Sequence, residues 1–296
     1  MSLKPDDLLL DRYDIREIVK AGGMGAVYKA YDLRLEGICA VKEMHAETKA
    51  EDAEWVSRRF REEATILGQI SHPDVPHVRD YFKIGRLSYI VMDFVDGISL
   101  EAELAANPHG LTQEQVWEDA QVVLGILDYL QSLHPPVIHR DIKPANLIRD
   151  ARTGRLKLVD FGLARAPSEN TQTMAGTFHY CSPEQLHGKA VPQSDLFSLG
   201  VTLYQLLSGD LPLLGYAEPL ARMKPGLDPR LAKAIEQAIL AAGAAAAQLD
   251  GVTNSFANAS GRMQSEMDRL LASLGSAVIG AVPDVALIEA ETARAA

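Results

Sequence analysis

The sequence predicts an α+β chain in two lobes: a small antiparallel β-sheet lobe with one main helix, then a larger, mainly α-helical lobe. Three observations predict it. Residues 11–45 form short strand-like runs, DRYDIREIV, AVYKAYD and GICAVKEM, punctuated by AGGMG. Val56, Phe60, Glu63, Leu67 and Ile70 then recur at spacings of one helical face. Beyond Gly97 the pattern becomes mainly helical. With 296 residues the chain is long enough to bury a core in each lobe.

The elements follow in order. Strands are expected around His77–Lys83 and Leu87–Phe94, ending in a turn-like Asp-Gly-Ile-Ser at 96–99. Thr112 with Gln115 is a capping box, and Val116, Ala120, Val123, Leu127 and Leu130 form the buried stripe of the helix behind it. Pro135 and Pro136 stop that helix. Phe197–Leu207 is apolar nearly all round, as a central helix would be, with Gly209 as its stop. Ala241–Asn258 is alanine-rich and weakly patterned, and is expected to be an insertion or loop. The divisions are an N-terminal extension (1–10), a first lobe (11–96), a second lobe (97–274) and a tail (275–296).

Composition narrows the class. Hydrophobic content of 47% with 23% charged residues excludes a disordered, collagen-like or coiled-coil chain. Forty acidic against 29 basic residues, a net charge of −11, argues against nucleic acid as a partner. Two cysteines, Cys39 and Cys181, make no disulfide framework and suit a reducing compartment. The first residues lack a charged-then-apolar leader, so a cytoplasmic location is expected. Phe197–Leu207 is too short to span a bilayer, and Leu270–Ile288 is interrupted by Gly275, Gly280, Pro283 and Asp284.

The chemistry concentrates in His139-Arg140-Asp141-Ile142-Lys143-Pro144-Ala145-Asn146, followed by Asp160-Phe161-Gly162. These runs resemble the catalytic loop and metal-binding triplet of the protein kinase superfamily. The resemblance implies a two-lobed protein-kinase-like fold and phosphoryl transfer from ATP, where catalysis is mostly alignment and charge neutralisation. Asp160 and Asn146 would supply hard oxygen ligands to Mg²⁺, or to Mn²⁺ in its place. Asp141 would orient the incoming hydroxyl and accept its proton, and Lys143 would reach the γ-phosphate.

Upstream, Gly22, Gly23 and Gly25 form a turn between strands that can bring backbone N–H groups close to phosphates. Val27 and Gly25 share one strand face, and Ala40 and Lys42 one face of the next. Glu63 sits on the apolar stripe of its helix, where a carboxylate needs a cationic partner, and Lys42 is the candidate. By resemblance, Met92 closes the back of the adenine pocket, the backbone of Asp93 and Val95 hydrogen-bonds the base, and Leu147 contributes to the same pocket.

Gly176-Thr177-Phe178-His179-Tyr180-Cys181-Ser182-Pro183-Glu184 is similar to the end of a kinase activation segment. Asp195 resembles the aspartate that braces the catalytic loop, and Arg262 the arginine that pairs with Glu184. Lys143 together with Thr177, the latter assigned to substrate positioning, resembles Ser/Thr rather than Tyr kinases. The opening DRYDI and the loop GGMGAVY resemble bacterial eukaryotic-like Ser/Thr kinases. Arg140 beside Asp141 implies control by a phosphate on the segment, with Thr171 and Thr173 as the sites. The partners implied are protein substrates and a second copy for trans-autophosphorylation.

Some positions depart from the pattern. Lys20 stands where the first loop glycine is expected, Ser182 replaces an alanine, Met263 replaces an aromatic, and the stretch after Leu240 is long. Lys20 and that stretch are the features a pseudokinase scaffold would share. A small-molecule kinase of the aminoglycoside or choline type would share the Asp-then-Asn loop, but not the Asp-Phe-Gly and Ser-Pro-Glu runs.

Overall fold

The structure is a computed structural model that describes residues 3–22, 25–45, 65–85, 87–161, 178–212 and 218–247. The first lobe is a six-stranded antiparallel sheet made of β1 (Leu8–Leu9), β2 (Tyr13–Gly22), β3 (Gly25–Asp32), β4 (Gly37–His45), β5 (Val78–Ile84) and β6 (Leu87–Asp93), in the order β1-β2-β3-β4-β6-β5. β3 shows why: its side chains alternate between buried and half-buried without a break. Ala26, Tyr28 and Ala30 therefore enter one core with Tyr13, Ile15, Cys39, Val41, Tyr89 and Val91. Phe82 stacks on both Tyr13 and Tyr89, at centroid distances of 5.7 and 5.2 Å. Cys39 is buried on the face opposite Lys42, as its strand position requires.

Residues 65–69 are helical and are labelled α1. They carry the end of the stripe read from the sequence, with Leu67 and Ile70 buried against the second lobe's core. The rest of that stretch, Glu63 included, lies outside the described residues.

The sequence pattern does not reveal the second sheet. Asp-Gly-Ile-Ser is not a simple turn: β7 (Gly97–Ser99) pairs with β8 (Leu147–Asp150), which pairs with β9 (Leu156–Leu158) in a second antiparallel sheet. Ser99 then caps α2 (Leu100–Ala106), its Oγ accepting the Ala102 N–H. α3 (Gln113–Ser132) starts at the expected Thr112 capping box and buries all five residues of its stripe.

α4 (Pro183–Leu186) leads to α5 (Pro192–Ser208), the apolar central helix. Gly209 ends it at φ 85°, where a Cβ would sit 2.1 Å from the Pro108 carbonyl oxygen, so only glycine fits. α6 (Leu220–Met223) and α7 (Pro229–Ala247) complete the lobe. α7 corrects the reading of the alanine-rich stretch: residues 241–247 continue the helix, alanine being the strongest helix former. One core joins α3, α5 and α7 to β8 and β9.

Candidate active site

The crevice between the lobes is built from the non-core face of the first sheet and the loops beside β8 and β9. Val27 lies directly opposite Lys42, and Ala40 directly opposite Met92. Residues opposite in an antiparallel pair share a face, so all four look away from the tyrosine core. Met92 lines the inner end of the crevice with Lys42, Leu67, Ile90, Asp160 and Phe161. The Asp93 backbone N–H is used on the His77 carbonyl oxygen at 3.0 Å, so its carbonyl is the group it offers a base.

Two cation–carboxylate contacts organise the floor. Lys42 Nζ meets Asp160 Oδ1 at 2.5 Å, joining side chains 118 positions apart. Lys143 Nζ meets Asp141 Oδ2 at 3.0 Å. Asn146, in the 3₁₀ turn Pro144–Asn146, donates from Nδ2 to both the carbonyl and Oδ2 of Asp141, each at 2.8 Å. A carboxylate only accepts, so the amide nitrogen faces it and Asn146 Oδ1 is left as an oxygen ligand. The Val159 N–H donates to the Asn146 carbonyl, tying the Asp160 strand end to this turn. Asp160 adopts φ 61° and Phe161 packs on the His139 ring at 4.4 Å.

Burial pushes the Asp160 carboxyl up, but the charge and hydrogen bond of Lys42 outweigh it, with Lys20 and Lys143 adding to the pull, and its pKa falls to about 2. Asp160 is thus a carboxylate at any working pH. Asp195, at the start of α5, accepts the His139 N–H at 2.7 Å and the Arg140 N–H at 2.8 Å. It braces the loop as expected. Complete burial pushes its pKa up to about 7, against the pull of those two N–H groups and the Arg140 charge.

The glycine turn divides into two parts. Gly25 has φ 147°, and a Cβ there would lie 2.0 Å from the Glu43 carbonyl oxygen, so its own sheet demands glycine. A Cβ on Gly22 would meet nothing within 4 Å, which leaves the room a ligand needs beside the backbone. The donor set fits a hard divalent cation and a polyphosphate: the Lys42–Asp160 pair and the Asp141–Lys143–Asn146 group are tied together where the Val159 N–H bonds the Asn146 carbonyl, and between them offer two carboxylates, one amide oxygen and two lysines.

Leu147 requires a correction. It is 1% exposed, facing Leu158 inside the second lobe's core. A strand's side chains alternate, so the half-buried Ile148 points to the other side of β8 from that core. Gly23, Glu63, Thr171, Thr173, Thr177 and Arg262 lie outside the described residues.

Two hydrogen bonds had no signal in the sequence. Ser194 Oγ donates to Glu184 Oε1 at 2.6 Å, fixing the Ser-Pro-Glu run to α5. Gln185 Nε2 donates to the Arg140 carbonyl oxygen at 2.8 Å, linking the same run to the residue before Asp141.

A family model described as a protein kinase domain matches residues 13–230. The serine/threonine-protein kinase PknB of Mycobacterium tuberculosis is 38% identical over 219 residues, covering 70% of this chain and 34% of that protein. The serine/threonine-protein kinase PrkC of Bacillus subtilis is 36% identical over 209 residues, 69% of this chain and 31% of its own length. The chain thus spans about a third of the length of these relatives. The crystal structure of the M. tuberculosis PknI kinase domain superposes with a TM-score of 0.68 at 25% identity, covering 93% of this chain and 100% of that one.

Proposed function

The chain belongs to the protein kinase family, and we propose that it transfers the γ-phosphate of ATP to Ser and Thr hydroxyls of proteins. One observation supports the reading: Lys42 reaches Asp160 across 118 positions, Lys143 and Asn146 hold Asp141, and the Val159 N–H, next to Asp160, bonds the Asn146 carbonyl. The catalytic relatives named above are Ser/Thr kinases, which supports the acceptor class.

Bound Mg²⁺ would neutralise the charge that develops on the transferred group. Asn146 Oδ1 and the Asp160 carboxylate would hold it. Asp141 orients the acceptor hydroxyl and takes its proton as the oxygen–phosphorus bond forms and ADP leaves. Lys143 stays beside Asp141 and offers its charge to the γ-phosphate. Lys42 positions the α- and β-phosphates, exchanging Asp160 for ligand oxygens. Val27, Ala40, Met92 and Ile148 enclose the base, with the Asp93 carbonyl and Val95 backbone as its hydrogen-bonding edge. Gly22 and Gly23 bring N–H groups to the phosphates. Glu63 partners Lys42, Thr177 positions the acceptor, and Thr171 and Thr173 are autophosphorylation sites acting in trans between copies. A cytoplasmic location for this domain belongs to the same proposal, supported by two cysteines that are both free thiols; no helix among the described residues is long and apolar enough to cross a membrane.

The test is incubation with Mg-ATP and a generic protein substrate, with phosphosites mapped by mass spectrometry and Asp141→Asn as control. Phosphate on Ser or Thr that disappears in the variant is expected. ATP binding without transfer, or transfer only to small hydroxyl compounds, refutes the reading.

A further inference from the structure

The strand register brings a cation to the crevice where the family pattern has a glycine. On β2, Lys20 lies directly opposite Val27 of β3, and Val27 lies directly opposite Lys42 of β4. Directly opposed residues in an antiparallel ladder project from the same face, so Lys20, Val27 and Lys42 form one row. The next row is the control: Ala21 faces Ala26 and Ala26 faces Glu43, and both Ala26 and Glu43 are buried in the tyrosine core. The Lys20 row therefore projects from the other face. Its far end, Lys42, terminates on Asp160, which shows that this face looks into the crevice.

Two strand spacings of about 4.8 Å separate the backbones of Lys20 and Lys42, within the combined reach of two four-carbon stems. Among the described residues Lys20 has no hydrogen-bond or ion-pair partner, and it is exposed. An exposed ammonium on the row that ends at Asp160, with no such partner among the described residues, is placed to meet an anion entering there.

We propose that Lys20 is a phosphate-binding residue, a third ammonium supplied from the sheet roof to the polyphosphate of the nucleotide. The inference rests on the kinase reading of the same crevice. It assigns a binding role to a position where a glycine contributes only backbone. The charge adds affinity for the triphosphate and none for the nucleoside, because the base is enclosed by other residues.

The test is equilibrium binding of ATP and of adenosine, with Mg²⁺ present, to the full chain and to Lys20→Gly, Lys20→Met and Lys20→Arg. Loss of the ammonium is expected to weaken ATP binding roughly 5- to 20-fold in both the Gly and Met variants, as loss of one charge-assisted phosphate contact should. Adenosine affinity stays within about twofold, Lys20→Arg retains ATP affinity, and added salt narrows the gap between wild type and Lys20→Met, because mobile ions screen an exposed charge. Equal ATP affinity in wild type and Lys20→Met overturns the proposal, as does equal weakening of ATP and adenosine, which would mean the turn's shape and not its charge had changed. A wild-type chain that binds no ATP overturns the kinase reading and this proposal together.

Discussion

Replacing Gln185 with methionine keeps the side chain's length and removes one donor. In the structure that donor, Nε2, sits 2.8 Å from the carbonyl oxygen of Arg140. The orientation is fixed, because a carbonyl can only accept and the amide's NH₂ end must face it. Arg140 adopts φ 67°, a conformation costing about 1–2 kcal/mol for a residue with a Cβ. Its N–H is held by Asp195 at 2.8 Å and its carbonyl by Gln185, so the two ends of the strained unit are clamped separately. Asp141 comes next in the chain. Nε2 also donates to Cys181 Sγ at 3.5 Å, a weaker bond that is lost too; losing the neutral bond to the Arg140 carbonyl removes about 0.5–1.5 kcal/mol of that hold. Misplacing a reacting group by about 1 Å can cost up to roughly 100-fold. Gln185→Met is therefore expected to lower kcat about 5- to 50-fold while KM for ATP stays within about twofold, since the nucleotide is held by other residues. The melting temperature should fall by about 2–4 °C per kcal/mol lost. The assay is steady-state phosphorylation of a protein substrate, resolving kcat from KM, alongside thermal unfolding. A lowered melting temperature with kcat within twofold of wild type refutes the reasoning: Gln185 would then only brace the α4 region.

Other residues give sharper stability tests. The folded-state pKa of Asp195, about 7, lies above its ordinary 3.8. Between those values the native chain holds a proton that the unfolded chain has released, so the stabilisation is full below pH 3.8 and is lost as pH rises towards 7. Urea midpoints should show wild type losing stability relative to Asp195→Asn from pH 5 to pH 7.5, and a constant difference would contradict this. Arg149 bonds Glu103 at 2.8 Å and Asp119 at 3.0 and 3.1 Å, Asp119 being only 3% exposed. Arg149→Met should cost about 3–5 kcal/mol by stranding that carboxylate, with Asp119→Asn in the same chain recovering part of it in urea unfolding. Gly25→Ala cannot place its Cβ without moving the Glu43 carbonyl, so nucleotide affinity and melting temperature should fall together, and retention of both would show that β3 and β4 can part freely.

What the sequence displayed best was chemistry carried by short fixed spacings. Asp141, Lys143 and Asn146 fall within six residues, and the Thr112–Gln115 box announced the start of α3. Lys42 and Asp160 were legible individually, while their contact, 118 positions apart, needed the fold. The β7-β8-β9 sheet escaped because strands of three or four residues carry too little alternation to count, and β7 lies about 50 residues from its partner β8. Leu147 falls on the wrong side for a related reason: one step along a strand exchanges one side for the other, and only the pairing with Leu158 fixes which is which. Gln185 gave no signal, since nothing in Ser-Pro-Glu-Gln points to a carbonyl 45 positions earlier.

A chain with a net charge of −11 must still bind a polyanion, and the crevice shows how the two are reconciled. Distant acidic groups are screened over about 8 Å at physiological ionic strength, whereas charges inside a partly buried crevice act on each other almost directly. There three ammonium groups, of Lys20, Lys42 and Lys143, stand against two carboxylates. Two of those cations are already committed. Lys42 holds Asp160 and Lys143 holds Asp141, so the site is organised before any ligand arrives; Lys42 must release its carboxylate to receive a phosphate, and Lys143 shares its charge between Asp141 and the incoming group. The Lys42 exchange returns little net energy, because the phosphate oxygen only takes the place of a carboxylate oxygen on the same ammonium. Lys20 has no such partner to release among the described residues. Of the three, it is the cation whose charge a triphosphate meets at least cost, which makes the departure from glycine a gain in affinity offset by a stiffer loop.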